Sequence, residues 1–134
     1  MLADAGPLTA LFDRSDHHHQ RVVRFWRGLR VRPLTSWPVM AEVCHLLNFS
    51  VNAQLDFLRW VDRGGVDVVD MDPGALKQII HLTEKYHDRP MDLADASLIV
   101  LAMQTGIRHI LTVDSDFDIY RLPNKTHLTN LLQP

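Results

Sequence analysis

The sequence MDLADASLIVLAMQTGIRHILTVDSDF, residues 91–117, decides the fold. Within residues 93–103 the polar side chains are those of Asp95 and Ser97, and this pattern predicts a helix that is buried on nearly all sides. A glycine then ends the helix. The β-branched run at residues 110–113 predicts a short strand. The stretch is therefore expected to be a buried helix, a stop and a strand, followed by an acidic turn.

Acidic residues lie on both elements of this stretch. Asp92 and Asp95 are three residues apart, which places them about 60° from each other around a helix. Asp114 and Asp116 follow the predicted strand. A buried carboxylate is costly unless it is paired, hydrogen-bonded or bound to a cation. We therefore expect the helix and the strand to bring their acids to one place.

The composition is that of an ordinary globular protein, with 46% hydrophobic and 22% charged residues, and we expect a single domain over residues 1–134. One cysteine, Cys44, excludes an internal disulfide and a multi-cysteine zinc site and is typical of a reducing compartment. No apolar run approaches the roughly 20 residues of a membrane span, and no export signal is evident. We therefore predict a cytoplasmic protein with no membrane partner. The formal charge of −2 argues against nonspecific binding by bulk charge.

Predicted strands and helices alternate along the whole chain. This alternation is typical of an α/β fold with a largely parallel central sheet. The first predicted strand ends at Asp4, and the others cover residues 32–36, 66–71, 110–113 and 126–132. Three predicted helices cover residues 8–13, 17–29 and 52–62, and Asp16 is the expected N-cap of the second. Two more helices begin at a cap formed by Thr35 or Ser36 and at Asp72 and Pro73. The last is the buried helix, and a break at Arg89 and Pro90 precedes it.

Two further acids are expected to join the cluster, because ligands gather outside the carboxyl ends of the strands in such sheets. Asp4 ends the first strand. Glu42 lies on a helix, on or beside an apolar stripe of Val39, Val43, Leu46 and Leu47. The next helix has its own predicted apolar stripe, which consists of Leu55, Leu58 and Val61. A buried glutamate needs a partner, which is either an arginine or the acidic cluster. We prefer the cluster, in which Asp4, Glu42, Asp95 and Asp114 meet at one sheet edge.

Such a cluster is suited to a divalent cation. Neighbouring carboxylates cannot all stay ionised unaided, and Mg²⁺, or alternatively Mn²⁺, prefers oxygen ligands. One or two such ions can support hydrolysis of a phosphodiester. A nucleophilic serine or cysteine with a nearby base is not evident, and no glycine-rich phosphate loop is present. Metal-dependent hydrolysis is therefore the predicted chemistry.

The predicted helix at residues 17–29 is amphipathic and basic. Arg21, Arg24 and Arg27 share the side opposite its apolar residues. These arginines form either a solvated face or a basic flank that guides a phosphate backbone toward the acids. The three consecutive histidines at residues 17–19 point in three directions on a helix, so we assign them a structural or incidental role.

Four short motifs resemble those of PIN-domain proteins, and among these the VapC-type toxins of bacterial toxin–antitoxin pairs. The motifs are LADAGPL at residues 2–8, TSWPVMAEV at 35–43, DLADASL at 92–98 and LTVDSDF at 111–117. The resemblance covers nearly the whole chain and implies a three-layer α/β sandwich. Mapped residue by residue, it implies an acidic quartet of Asp4, Glu42, Asp95 and Asp114.

The resemblance also implies an activity and partners. Proteins of this kind are Mg²⁺-dependent endoribonucleases that are often homodimers and are blocked by a cognate antitoxin. Asp4, Asp95 and Asp114 would hold the metal, and Glu42 would position or deprotonate water. Thr112 would lie beside the site, and Asp92 and Asp116 match positions that are commonly acidic, with supporting roles that remain open.

Two other classes of function remain as alternatives. The first is a catalytically silent PIN-like domain that binds RNA or a protein, against which the intact quartet argues. The second is a phosphoacceptor receiver domain, whose chemistry requires a lysine near the acids. None of Lys77, Lys85 and Lys125 directly follows a predicted strand, so the receiver ranks last.

Overall fold

The computed structural model of the chain describes residues 1–89 and 91–132, in which strands and helices alternate as predicted. The described residues form five strands, β1 (Leu2–Ala3), β2 (Leu34–Ser36), β3 (Asp67–Val69), β4 (His109–Leu111) and β5 (Thr129–Asn130). Their α-helices are α1 (Ala5–Phe12), α2 (His19–Arg27), α3 (Trp37–Leu46), α4 (Val51–Asp62), α5 (Ala75–Lys85) and α6 (Leu93–Thr105), and Asp116–Asp118 forms a 3-10 helix. The predicted break at Arg89 and Pro90 includes Pro90, which lies outside the described residues. No helix in the described range is long and apolar enough to cross a membrane.

The five described strands form one sheet with the order β3-β2-β1-β4-β5, and every neighbouring pair is parallel. The chain builds the sheet outward from β1 in one direction through β2 and β3, and then returns to the other side of β1 with β4. The strand order therefore reverses between β1 and β4, where Leu2 pairs with Ile110 and Ala3 with Leu111. In open parallel sheets a ligand crevice forms at the carboxyl ends of the strands at such a point.

The helix α6 is the centre of the hydrophobic core, as its sequence predicts. Every residue from Ala94 to Ala102 is buried, and α6 packs against α3, α5 and β2. Its polar Ser97 is satisfied, because its hydroxyl lies 2.6 Å from the hydroxyl of Ser36 and donates to the carbonyl oxygen of Ala94. The first turn of α6 is anchored by Asp92, whose carboxylate accepts a hydrogen bond from the N–H of Asp95 at 2.7 Å. These contacts fix the position of the acidic end of α6.

A glycine in the left-handed conformation ends α6. Gly106 has φ of 77°, and its N–H donates to the carbonyl oxygen of Ala102. A Cβ at this position would meet no atom within 4 Å, so Gly106→Ala should cost backbone strain alone, about 1 kcal/mol in urea unfolding. Gly28 is the matched control, because it lies in the right-handed helical region and should accept alanine without loss. Equal effects of the two substitutions would contradict this account of the α6 terminus.

Two helix starts differ from the prediction. The helix α1 begins at Ala5, so that Gly6 and Pro7 belong to its first turn and the predicted helix at residues 8–13 was too short. Proline is favoured in a first helical turn because its missing N–H has no helical partner there. The predicted N-cap Asp16 is also wrong: its carboxylate accepts from the N–H of His18 in the preceding turn, and α2 begins at His19.

The predicted apolar stripes of α3 and α4 are wrong in part. Val39, Val43 and Leu47 are fully buried, but Leu46 is 46% exposed, and Leu55 and Leu58 on α4 are 37% and 40% exposed. The helix α4 instead buries Phe57, which packs its ring against Phe12 of α1 at 5.7 Å. An aromatic cluster that includes Trp60 and Trp26 continues this contact, so aromatic packing sets the rotation of α4.

Candidate active site

Carboxylates from four separate parts of the chain surround one cleft of about 270 Å³ at the point where the strand order reverses. We call it the acidic cleft. It contains all four members of the predicted quartet and both predicted supporting acids. Its lining is Asp4, Glu42, Asp92, Asp95, Asp114 and Asp116, together with Ala5, Gly6, Leu46 and Val113. The exposure of Leu46 follows from its position, because it forms part of the wall of this cleft.

Both carboxylate oxygens of Asp4 accept hydrogen bonds. It follows β1 directly and acts as the N-cap of α1, because its Oδ1 accepts from the N–H of Ala5 at 2.8 Å. Its Oδ2 accepts from the hydroxyl of Thr112 at 2.8 Å, and its own N–H donates to the carbonyl oxygen of Leu111. The side chain is 6% exposed. The adjacent strands β1 and β4 therefore fix this carboxylate at the floor of the acidic cleft.

Thr112 connects the acids of the two strands, and Asn130 braces it. The hydroxyl of Thr112 also accepts from the N–H of Asp114 at 3.1 Å. The amide of Asn130 in β5 accepts from the N–H of Thr112 at 3.2 Å and donates to its carbonyl oxygen at 2.9 Å. Asn130 was not predicted from the sequence. Its side-chain amide binds the backbone N–H and carbonyl oxygen of Thr112 just after β4, and no local sequence pattern indicates such a contact.

Asp95 is buried at the start of α6, and its partner is a tyrosine that sequence reasoning missed. The hydroxyl of Tyr120 donates to Oδ2 of Asp95 at 3.1 Å. The ring of Tyr120 is fixed by edge contacts with Tyr86 at 5.1 Å and Phe117 at 5.4 Å. This hydrogen bond orients Asp95, which lines the cleft, and its other carboxylate oxygen has no hydrogen bond from the described residues.

Glu42 and the acids after β4 line the more open side of the acidic cleft. Glu42 is half-buried on α3 and has no ion pair or hydrogen bond within the described residues, so the arginine partner considered as an alternative is not found there. Asp114 is exposed, and its Oδ1 accepts from the N–H of Asp116 at 2.9 Å. A weak ion pair of 3.7 Å joins Asp116 to Arg89. Asp114 follows β4 by a bend rather than directly, because β4 ends at Leu111.

Burial and mutual repulsion keep several of these carboxyl groups from ionising. The pKa of Asp95 is raised to about 8, mainly by burial and next by the negative charges of Asp92 and Asp4. The same causes raise the pKa of Glu42 to about 7. For Asp4, burial raises the pKa to about 6, although the hydrogen bonds from Thr112 and Ala5 oppose the shift. The cluster therefore holds more negative charge than the protein alone can stabilise.

The described side chains do not already stand in the arrangement of a metal-ligand set. Among residues 1–89 and 91–132, no three His, Cys, Asp or Glu side chains lie close enough together to hold an ion. Asp4, Asp95 and Asp114 each direct an oxygen at a protein donor instead. The donor set nevertheless fits a hard divalent cation, because it consists of carboxylate oxygens whose repulsion a cation relieves. A cation held by three of these carboxylates would therefore require their side chains to turn toward one another.

The three arginines considered as either a solvated face or an RNA-guiding flank lie in different surroundings. Arg24 and Arg27 are exposed and border one surface depression together. Arg21 is partly buried and lines a second cleft on the far side of Asp114. The histidines also diverge: a ring nitrogen of His19 lies 2.6 Å from the carbonyl oxygen of Ala10, whereas His18 lines the second cleft.

Comparisons with known proteins place this geometry in a family. Residues 1–122 match the model of the PIN domain. The ribonuclease VapC26 of Mycobacterium tuberculosis is 29% identical over 116 residues, which cover 85% of this chain and 86% of that protein. The crystal structure of VapC20 of Mycobacterium tuberculosis, a sarcin-ricin loop cleaving toxin, has a TM-score of 0.81 over 94% of this chain and 98% of that chain, at 20% identity. That likeness confirms the predicted α/β sandwich with its parallel sheet. The chain belongs to the PIN-domain family.

Proposed function

We propose that this protein is a divalent-cation-dependent endoribonuclease and the toxin of a toxin–antitoxin pair in the cytoplasm. One observation carries the proposal: carboxylates from four parts of the chain converge on the acidic cleft, and the pKa values of three of them are raised. Such a site is stabilised by Mg²⁺ or Mn²⁺. The similarity to a protein named as a ribonuclease supports RNA as the substrate.

Each acid has a role that its surroundings support. Asp4, Asp95 and Asp114 would hold the cation, because each keeps an oxygen or a lone pair beyond its protein hydrogen bonds. A bound Mg²⁺ or Mn²⁺ supplies Lewis-acid stabilisation of the charge that develops on the phosphate and on the leaving oxygen. Thr112 and Tyr120 would orient Asp4 and Asp95 through the hydrogen bonds that they donate to these carboxylates.

Glu42 is the group that would accept the proton of the attacking water. It has no hydrogen bond to another described residue, so its carboxylate is available to a water molecule in the acidic cleft. Burial raises its pKa to about 7, and a general base is most effective when its pKa is close to the working pH. Asp92 and Asp116 contribute through position and charge: Asp92 caps α6 and Asp116 donates its N–H to Asp114.

Exposed apolar side chains support the proposal of protein partners. They include residues on three helices, namely Trp37 on α3, Val51 and Leu58 on α4, and Leu76 and Ile80 on α5. Isolated apolar side chains are common on surfaces, but this number of large ones suits contacts with an antitoxin and with a second copy of the chain. Both partners are part of the proposal.

Cleavage of single-stranded RNA tests the proposed chemistry directly. With Mg²⁺ or Mn²⁺ the purified protein should cut an end-labelled RNA internally, and EDTA should stop the reaction. With the 3′ oxygen as the leaving group the products should carry 5′-phosphate and 3′-hydroxyl ends, and no 2′,3′-cyclic phosphate should form, because attack by water needs no 2′-hydroxyl nucleophile. A 2′,3′-cyclic phosphate formed in EDTA would overturn the mechanism. RNA binding without any cleavage would instead support the catalytically silent alternative.

A further inference from the structure

The second cleft, on the far side of Asp114 from the acidic cleft, has a volume of about 220 Å³ and a mixed charge. Its lining contains two basic residues, Arg21 and His18, and two acidic ones, Asp114 and Asp118. Thr112, Val113, Ser115, Asn130 and Leu132 complete it. The second cleft therefore lies between the start of α2 and the loop that follows β4.

No hydrogen bond or ion pair joins Arg21 to the other described residues that line this cleft. Within the described residues its guanidinium makes no hydrogen bond, and no carboxylate lies within 4.0 Å of its nitrogens. Its Nε is fully buried and unpaired. Buried donors are nearly always satisfied, and the planar guanidinium fits carboxylate and phosphate oxygens best. Because Nε is closed to solvent, an anion from outside the chain would bind the terminal guanidinium nitrogens of this partly buried residue.

The second cleft is continuous with the acidic cleft. Val113 and Asp114 line both, so the two clefts share one wall. A strand of RNA that placed its scissile phosphate in the acidic cleft and followed this shared wall would bring an adjacent phosphate to the cleft that contains Arg21. Arg24 and Arg27 line neither cleft.

We propose that Arg21 binds the RNA phosphate next to the scissile one, so that the second cleft is a substrate-positioning subsite. The inference rests on the proposed ribonuclease function. In this proposal Arg21 contacts a phosphate directly, whereas Arg24 and Arg27 act at most through long-range charge. A carboxylate of a protein partner is the other anion that could reach Arg21, and the experiments distinguish it.

The first test measures binding without cleavage. In EDTA, the anisotropy of a labelled single-stranded RNA should report an affinity about tenfold lower for Arg21→Ala, with the salt slope reduced by about 1. Arg24→Ala and Arg27→Ala are matched controls on the same helix and should have smaller effects. Arg21→Lys should recover part of the affinity, because lysine keeps the positive charge but cannot donate two parallel hydrogen bonds as a guanidinium does. Unchanged RNA binding by Arg21→Ala would overturn the proposal and favour a partner carboxylate.

The second test uses substrates that differ by one phosphate. A dinucleoside monophosphate carries the scissile phosphate alone, and two trinucleotides add a phosphate on its 5′ or 3′ side. Arg21→Ala should lower kcat/KM about tenfold for one of the trinucleotides and leave that of the dinucleotide unchanged. An equal loss on all three substrates would overturn the proposal and make Arg21 a support for Asp114. If wild-type protein cuts no RNA, the ribonuclease function fails, whereas the anisotropy test of Arg21 still stands.

Discussion

Asp95→Asn should lower the rate of RNA cleavage by about a thousandfold, because loss of a cation ligand removes roughly 4 kcal/mol of transition-state stabilisation. The fold should survive, since the amide oxygen can still accept from Tyr120 and a neutral side chain is easier to bury than a carboxylate. Asp4→Asn should have an effect of similar size. Single-turnover cleavage at saturating Mg²⁺ measures the loss.

A matched control separates chemistry from general charge effects in this experiment. Asp62→Asn makes the same substitution at an exposed aspartate near the end of α4 that does not line the acidic cleft. It should keep wild-type activity and stability. Full activity of Asp95→Asn, with a normal circular dichroism spectrum, would show that the reaction does not depend on this cluster.

The melting temperature in EDTA should fall as the pH rises from about 5 to 8. The pKa values of Asp4, Glu42 and Asp95 are raised from 3.8, 4.5 and 3.8 to about 6, 7 and 8 in the folded protein. The native state therefore binds more protons than the unfolded state across this range, and its stability decreases with pH. The stabilisation is complete below about pH 4 and is lost as the pH passes through the folded values. The total change should be on the order of a few kcal/mol, or several degrees in Tm.

Mg²⁺ and a substitution provide the controls for the pH experiment. At pH 8, saturating Mg²⁺ should restore the melting temperature, because binding to the folded state alone stabilises it. Asp95→Asn should flatten the decline in EDTA, whereas Asp62→Asn should follow the wild type. A melting temperature that is constant between pH 5 and 8 in EDTA would contradict the raised pKa values. Indifference to Mg²⁺ at pH 8 would contradict the metal site.

The parts of the fold that could be predicted from sequence are those with a strong local pattern. The apolar run of α6 has no polar face, so its burial was evident, and with it the unusual position of Asp95. The alternation of elements fixed a parallel sheet, whose geometry brings Asp4 and Asp114 to one edge. These two arguments predict that Asp4, Asp95 and Asp114 lie together, whereas Glu42 was placed with them by its position beside an apolar helix stripe and by the PIN resemblance.

The parts that could not be predicted depend on contacts between distant segments. Leu58 fits a helical apolar stripe as well as Phe57 does, and only the packing of aromatic rings from other helices decides which is buried. Tyr120 follows a 3-10 helix without periodicity, so its hydrogen bond to Asp95 has no local signal. The separation of Arg21 from Arg24 and Arg27 likewise follows from the loop that packs beside α2 rather than from α2 itself.

The brace between Asn130 and Thr112 has a consequence for the synthesis of the protein. The hydrogen bond from Thr112 to Asp4 spans 108 positions, and Thr112 is in turn held by an amide 18 positions later. A ribosome makes the chain from its N-terminus, so Asp4 emerges long before the residues that orient it. A nascent chain that ends before residue 130 lacks this brace on Thr112. The set of contacts that orients Asp4 through Thr112 is therefore complete only after residue 130 has been made.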